Sequence, residues 1–310
     1  MVSGHAGGLA DRVRPVEALR AGDCVAVVAP ASPFPRAAFL SGLAWVAQRY
    51  RVKVREDVFS RAGYLAGEDG RREEELALAM RSGDVRAIFV ARGGYGITRI
   101  ASRLPWDELA RAPKPIAGFS DVTALHVFAA ARGVRCVHGP NVTGLGASGN
   151  VHLARNRGAW LAALERPGAR RAWRDLQAIR AGDAEGPLFG GNVALLVAMA
   201  AAGKLDVPDG AIVLLEDVTE RPYRVDRMLT SLFDGGHLAR ASAIVLGDFT
   251  QCDPGPDGVT VEAVLAERTG ALGVPVYAGA PFGHGARNEA FPIGARASLE
   301  SGTLSWALTA

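Results

Sequence analysis

What most constrains the fold of this chain is a repeated alternation of short aliphatic runs with segments of helical spacing. Cys24–Ala29 is a continuous apolar run that closes at Pro30 and Ser32. A strand that is apolar at every position is buried on both faces, as strands of a helix-covered parallel sheet are. Arg36–Tyr50 follows with Phe39, Leu43, Val46 and Ala47 at helical intervals. Val52–Arg55 reads as a short second strand, and Arg71–Arg81 as a charged helix with Leu76 and Met80 on one face. Ala87–Ala91 is a third strand, broken at once by Arg92-Gly93-Gly94-Tyr95-Gly96. Pro115–Gly118 is a fourth, and Val122–Arg132 the helix after it.

Strands alternating with helices of about a dozen residues predict an α/β chain whose first half is a doubly wound, flavodoxin-like parallel sheet. Residues 151–185 have a different texture, rich in Arg and Ala and interrupted by Pro167-Gly168, and read as a helical linker. Beyond Gly186 come a strand-turn at Leu188–Gly191, an apolar helix at Val193–Ala202, a strand at Ile212–Glu216 and a helix at Pro222–Phe233. That last helix has Pro in its first turn, where the missing N–H is not needed. Strands at Ala243–Phe249, Val276–Ala278, Ala297–Glu300 and Thr303–Ala307 complete a smaller, strand-rich α/β half. The expected organisation is a flexible tail at 1–20, an N-terminal domain at 21–150, the linker at 151–185 and a C-terminal domain at 186–310.

Composition removes several function classes. With 310 residues, 49% of them hydrophobic, the chain can bury a large core. Its formal charge is only +3 and no Lys/Arg block tracks a phosphate backbone, so nucleic acid is not an expected partner. The three cysteines, Cys24, Cys136 and Cys252, are scattered and form no C-x-x-C pair, which argues against a disulfide framework or a thiolate zinc site. No H-E-x-x-H or other ligand spacing appears, so neither a metal nor another cofactor is expected. No apolar stretch approaches the length of a membrane span, and the Gly-rich, charged N-terminus lacks the core of a signal peptide. A soluble, cytoplasmic protein is expected.

Four segments carry candidate chemistry. In Gly118-Phe119-Ser120-Asp121-Val122-Thr123 a strand runs into a serine and then directly into a helix. Such a turn exposes the hydroxyl beside a helix N-terminus, where a developing oxyanion is favoured. Ser120 fits a helix N-cap equally, and Val122 occupies the place of the elbow's second glycine. The glycines at 93, 94 and 96 follow a strand whose carboxyl end is where open α/β sheets bind ligands. Glu216-Asp217 ends a buried aliphatic strand, and Glu220 lies close behind, so three carboxylates compete for the orientation of a histidine. Gly283-His284-Gly285 places one of the six histidines in a loop that no packing explains, with His138 as its rival.

Taken in order, Arg92-Gly-Gly-Tyr-Gly96, Gly118-Phe-Ser-Asp-Val-Thr123, Gly190-Gly-Asn192, Leu215-Glu-Asp217 with Pro222-Tyr-Arg-Val-Asp-Arg227, and Pro281-Phe-Gly-His284 resemble the LD-carboxypeptidase family of serine peptidases. That family includes the muropeptide LD-carboxypeptidases and the microcin C self-immunity peptidases. The resemblance implies Ser120 as nucleophile, Glu216 and His284 as the rest of its triad, and the backbone N–H groups of Gly94 and Asp121 as oxyanion donors. Arg92, Tyr95, Asn192 and Arg227 are candidate substrate contacts, with Arg92, Arg224 and Arg227 able to clamp a terminal carboxylate. It further implies a site between two domains, a small peptide substrate such as a murein tetrapeptide, and a homodimer. The length and the Arg-Gly-Gly-Tyr-Gly form resemble the muropeptide branch more than the branch acting on acyl-sulfamoyl adenylates.

Two readings compete. An α/β-hydrolase esterase shares the order Ser, Glu, His, but Val122 and the missing His-Gly-Gly-Gly loop stand against it. A binding protein with a decayed site would have lost a triad position, and all three are occupied.

Overall fold

The computed structural model describes residues 17–307 except Pro167. Its first sheet has six strands in the order β12-β5-β4-β3-β1-β2. These are β1 (Cys24–Val28), β2 (Arg51–Lys53), β3 (Val85–Val90), β4 (Ile116–Gly118), β5 (Cys136–His138) and the late β12 (Phe291–Ile293). The first five are mutually parallel, and β12 alone runs antiparallel, on β5. The continuous apolar runs follow from this arrangement, because successive side chains enter opposite cores. Ala26, Val28, Ile88 and Val90 join one cluster, while Val25, Val27, Ala87 and Phe89 join the other. The parallel order 2-1-3-4-5 reverses its winding between β1 and β3, which opens a crevice above their carboxyl ends.

The second sheet has eight strands in the order β6-β14-β13-β8-β9-β10-β11-β7. They are β6 (Arg171–Trp173), β7 (Gln177–Arg180), β8 (Ala184–Asn192), β9 (Ile212–Val218), β10 (Ala243–Thr250), β11 (Val276–Ala278), β13 (Arg296–Glu300) and β14 (Thr303–Trp306). The central four, β8 to β11, are parallel and are connected through the helices Val193–Ala201, Pro222–Asp234 and Val261–Gly270. The second half is therefore an α/β unit with antiparallel edges. Its last helix carries no strong apolar spacing in Val261–Gly270 and was not expected from the sequence.

Two expectations about organisation change. Residues 151–185 are not a helical linker throughout: only Leu153–Glu165 is helix, and β6 and β7 become opposite edges of the second sheet. The alternating side chains of these short strands find partners only in β14 and β11, which lie far along the chain. The expected tail at 1–20 falls mostly outside the described residues. Its end is anchored, however, since Leu19 is 3% exposed and its N–H donates to Leu164 O. The cysteines Cys24, Cys136 and Cys252 are free and buried. Among the described residues no helix is long and apolar enough to cross a membrane.

Candidate active site

The triad candidates and Asn192 lie at or after the carboxyl ends of parallel strands in the two sheets, whereas Arg224 and Arg227 lie on the helix Pro222–Asp234. Ser120 follows β4, Gly93 and Gly94 follow β3, Glu216 lies near the end of β9, Asn192 ends β8, and His284 follows β11. Contacts across the halves occur at these ends, where the Asn192 N–H donates to Thr123 Oγ1 at 3.1 Å.

Ser120 adopts φ 69°, a left-handed conformation that a residue with a β-carbon holds only when its surroundings impose it. It opens the 3-10 turn Ser120–Val122, which leads into the helix Thr123–Ala130, and no side-chain cap bond forms there. The N-cap alternative therefore does not apply. The bend is held from β5's end by Asn141, whose Oδ1 accepts the Phe119 N–H at 3.2 Å and whose Nδ2 donates to Phe119 O at 3.5 Å. Gly93 presses on the serine so closely that a β-carbon there would stand 2.8 Å from Ser120 Cβ and 3.1 Å from its Oγ. This close approach is the physical need for glycine after β3.

His284 Nδ1 lies 2.7 Å from Glu216 Oε2, and the Glu216 side chain has no exposed surface. The imidazole rests against the ring of Phe119, with centroids 4.7 Å apart, so it stands beside the residue preceding Ser120. The three carboxylates have different partners. Asp217 accepts from Asn192 Nδ2 (2.9 Å), Ala194 N (3.0 Å) and Val218 N (2.8 Å), which ties β9 to the start of the helix Val193–Ala201. Burial pushes its carboxyl up to about 6. Glu220 pairs with Arg224 at 3.2 Å on the surface. Only Glu216 meets the histidine, because alternation along β9 sends 216 and 217 to opposite faces.

The loop carrying His284 is fastened by groups the sequence reading passed over. Asn156 accepts the Asn288 N–H at 3.0 Å and donates to Ala286 O at 3.0 Å, and Asn150 donates to the same carbonyl at 2.9 Å. Glu289, 2% exposed, receives Arg155. Asp248 sits against Gly285, where a β-carbon would fall 2.1 Å from its Oδ2. Burial raises the Asp248 carboxyl, with Arg287 opposing and Glu216 adding to the rise. The helix read as a spacer is thus the anchor of the histidine loop. Its Asn and Arg pointed to nothing local, since their partners lie more than a hundred residues away.

Asp121 is fully buried, with Oδ2 accepting the Ile97 N–H at 2.9 Å and Oδ1 lacking a hydrogen-bond partner. Burial moves its carboxyl up to about 7. Arg72, also without exposed surface, donates to the carbonyls of Pro30 (2.5 Å), Gly67 (3.2 Å) and Gly96 (2.9 Å) and is met by Asp69. It cross-links the loops after β1 and β3 that border Ser120. As one arginine of a charged helix, it gave no sequence signal.

The candidate substrate contacts divide. Arg92 is exposed and donates to Pro33 O at 2.7 Å, Tyr95 is 46% exposed, and the guanidinium of Arg227 lies over the ring of Tyr223 at 5.6 Å. Asn192 is 3% exposed and has both amide ends engaged, Nδ2 on Asp217 and Oδ1 capping Leu195 N at 3.2 Å. The rival His138 is wholly buried, stacked on Phe291 at 4.7 Å, and burial holds it well below the usual imidazole range. Among the described residues, no cluster of three or more His, Cys, Asp or Glu is placed to hold a metal.

Comparison with known proteins shows the family and the fold. Residues 25–139 match the model of the LD-carboxypeptidase N-terminal domain, and residues 185–299 that of the C-terminal domain. The chain is 37% identical over 257 residues to the murein tetrapeptide carboxypeptidase of Pseudomonas aeruginosa, covering 80% of this chain and 83% of that protein. It is 32% identical over 291 residues to the probable murein peptide carboxypeptidase of Bacillus subtilis, covering 92% and 91%. The crystal structure of the muramoyltetrapeptide carboxypeptidase from Oxalobacter formigenes superposes with a TM-score of 0.80 at 28% identity, over 93% of this chain and 99% of that one. The microcin C7 self-immunity protein MccF shares the fold, with a TM-score of 0.85 at 18% identity over 95% and 99%.

Proposed function

The chain belongs to the LD-carboxypeptidase family of serine-type peptide hydrolases, and from that premise we propose that it releases the terminal D-amino acid of murein tetrapeptides through an acyl-enzyme on Ser120. The observation that carries this reading is the 2.7 Å contact of His284 with buried Glu216, beside the strained turn that presents Ser120.

In the proposed reaction the Nδ1–H of His284 donates to Glu216, which fixes the tautomer and leaves Nε2 free to take the Ser120 proton. Ser120 Oγ then attacks the carbonyl of the L-residue. The tetrahedral oxyanion is received by the backbone N–H groups of Gly94 and Asp121. His284 returns the proton to the departing amine, and the D-amino acid leaves. Water activated by the same imidazole hydrolyses the ester. Among the described residues His284 hydrogen-bonds to Glu216 alone, and in this reading the Ser120–His284 hydrogen bond forms as substrate binds.

The substrate's free carboxylate needs a cation, and Arg92 and Arg227 serve that part in this reading, with Tyr95 at the rim. A cytoplasmic place in murein recycling and a homodimer belong to the same reading. Light scattering of the purified protein reads the oligomeric state directly.

The test is release of D-Ala from a tetrapeptide ending in L-Lys-D-Ala or meso-diaminopimelyl-D-Ala, without added metal and in the presence of EDTA. Ser120→Ala should abolish release and keep the native melting curve, and full activity in that variant would end the proposal. The second reading, supported by the shared fold with MccF, is cleavage of acyl-sulfamoyl adenylates. Turnover of those compounds in preference to tetrapeptide would favour it.

A further inference from the structure

We propose that His138 is a positioning residue, whose buried ring sets the turn presenting Ser120 against the loop presenting His284. The inference rests on the proposed acyl-enzyme reading and adds to it a device that aligns its two halves.

His138 is fully buried at the end of β5, and among the described residues neither of its ring nitrogens has a hydrogen-bond partner. A buried imidazole that makes no hydrogen bond gains nothing from its nitrogens, so its use here lies in its flat faces. Four rings close on it. Phe291 stacks on it with centroids 4.7 Å apart and planes 16° apart. Phe282, Phe119 and His126 meet it at 5.6, 5.9 and 6.3 Å, with planes at 87°, 66° and 56°. At these separations aromatic rings attract, and edge-to-face pairs fix angle as well as distance.

Two of these neighbours lead to the site by separate routes. Phe119 directly precedes Ser120, and its ring also meets the His284 ring at 4.7 Å. Phe282 stands two residues before His284, on the loop after β11. One ring at the end of a first-sheet strand thus touches the nucleophile turn and the base loop at once. The main chain around His138 holds the same parts. Asn141, three residues on, engages both the N–H and the carbonyl of Phe119, at 3.2 and 3.5 Å. Gly139 N–H donates to Gly118 O at 3.2 Å, and β12 pairs with β5 so that Phe291 lies opposite His138. The Phe119 backbone is therefore fixed by Asn141 and its side chain by His138. Close-packed rings of this kind cannot shift without opening space, which packed interiors resist. Burial keeps the His138 imidazole uncharged, with His126 and His284 adding to the effect, so this wall stays apolar while His284 exchanges its proton.

The experiment separates the ring from its nitrogens. His138→Phe keeps a flat ring and removes both nitrogens, whereas His138→Leu keeps the bulk and removes the flat faces. Turnover of the tetrapeptide is measured where near-UV circular dichroism shows each variant folded. His138→Leu should lower kcat about ten- to a hundredfold with KM within about twofold, and His138→Phe should stay within about threefold of the parent. Parent-like kcat in His138→Leu, or an equal loss in His138→Phe, overturns the proposal. Phe119→Leu, at a half-buried position, cuts the same route should His138→Leu fail to fold, and parent-like kcat there overturns it equally. In the double variant the two losses should not multiply, and a multiplied loss would make the residues independent and overturn the route through Phe119. Proton NMR reads the alignment without substrate. The Nδ1–H resonance of His284 should persist in His138→Phe and be lost to solvent exchange in His138→Leu, and persistence in both overturns the proposal. Absence of D-Ala release by the parent removes the carboxypeptidase reading, and the resonance then decides the positioning by itself.

Discussion

Glu216 Oε2 stands 2.7 Å from His284 Nδ1, and the two residues come from different connections of the second sheet, one within β9 and the other after β11. Glu216 has no exposed side-chain surface, and its Oε1 lacks a hydrogen-bond partner. A buried carboxylate facing one imidazole can stabilise the positive ring that forms when a serine proton is taken. Glu216→Gln keeps the volume and removes the charge. Turnover of the tetrapeptide should fall about a thousandfold or more, while the melting temperature stays within a few degrees. Asp217→Ala should do the reverse, since it releases two hydrogen bonds at the start of the helix Val193–Ala201 and one to Val218 N–H at the end of β9. Its loss of stability, about 2–3 kcal/mol by urea titration, should exceed its effect on the chemical step. Equal kinetic losses in the two variants would mean that the neighbouring carboxylates share the role.

Gly93 touches the nucleophile from below. A β-carbon at 93 would stand 2.8 Å from Ser120 Cβ and 3.1 Å from Phe119 O, and both neighbours are fixed, the latter through Asn141. Gly93→Ala should displace Ser120 and lower kcat about a hundredfold, with a smaller change in stability. A single-turnover measurement reads the acylation step directly, and an unchanged rate would show that the turn yields without consequence.

Asp121 gives the chain a pH signature. Burial raises its carboxyl from 3.8 to about 7, so the folded protein binds that proton more tightly than the unfolded chain does. The unfolded state then carries fewer protons in this window, and the contribution of Asp121 to stability decreases as pH rises from about 4 to about 7. Asp121→Asn removes that contribution. Denaturation midpoints measured at pH 5 and pH 8 should differ less in the variant than in the parent, and an unaltered difference would exclude the effect.

The histidine loop depends on a helix remote in sequence. Asn156 holds both Ala286 and Asn288 from the helix Leu153–Glu165. Asn156→Ala leaves the Asn288 N–H without its partner, takes one of two donors from Ala286 O, and loosens the loop on which His284 stands. Turnover should decline about ten- to a hundredfold, with stability lowered by about 1–3 kcal/mol. Hydrogen exchange of residues 284–289 should accelerate in the variant, and unchanged exchange would contradict the anchoring.

Arg72 is the clearest case of stability built from a buried charge. Its guanidinium satisfies carbonyls of three loops and meets Asp69. Arg72→Leu should destabilise the protein by about 3–5 kcal/mol, since it strands buried acceptors and an acidic partner at once. A denaturant midpoint close to that of the parent would show that other groups or water replace the guanidinium.

The sequence by itself determined the parallel α/β architecture, because apolar runs closed by turn residues admit few other packings, and β1 and β3 duly divide their side chains between two cores. It also set Ser120, Glu216 and His284 in one ordered series, through the resemblance to the LD-carboxypeptidase family and not through local spacing, which left each of them with an alternative. What only the tertiary structure decided depends on partners distant along the chain. The short strands β6 and β7 are strands because β14 and β11 pair with them, and β12 returns to the first sheet because β5 receives it. Glu216 is distinguished from Asp217 by the face of β9 on which it lies, and from Glu220 by burial. The supports at Arg72, Asn141 and Asn156 left no local trace, since a side chain that binds remote backbone carries no periodicity of its own.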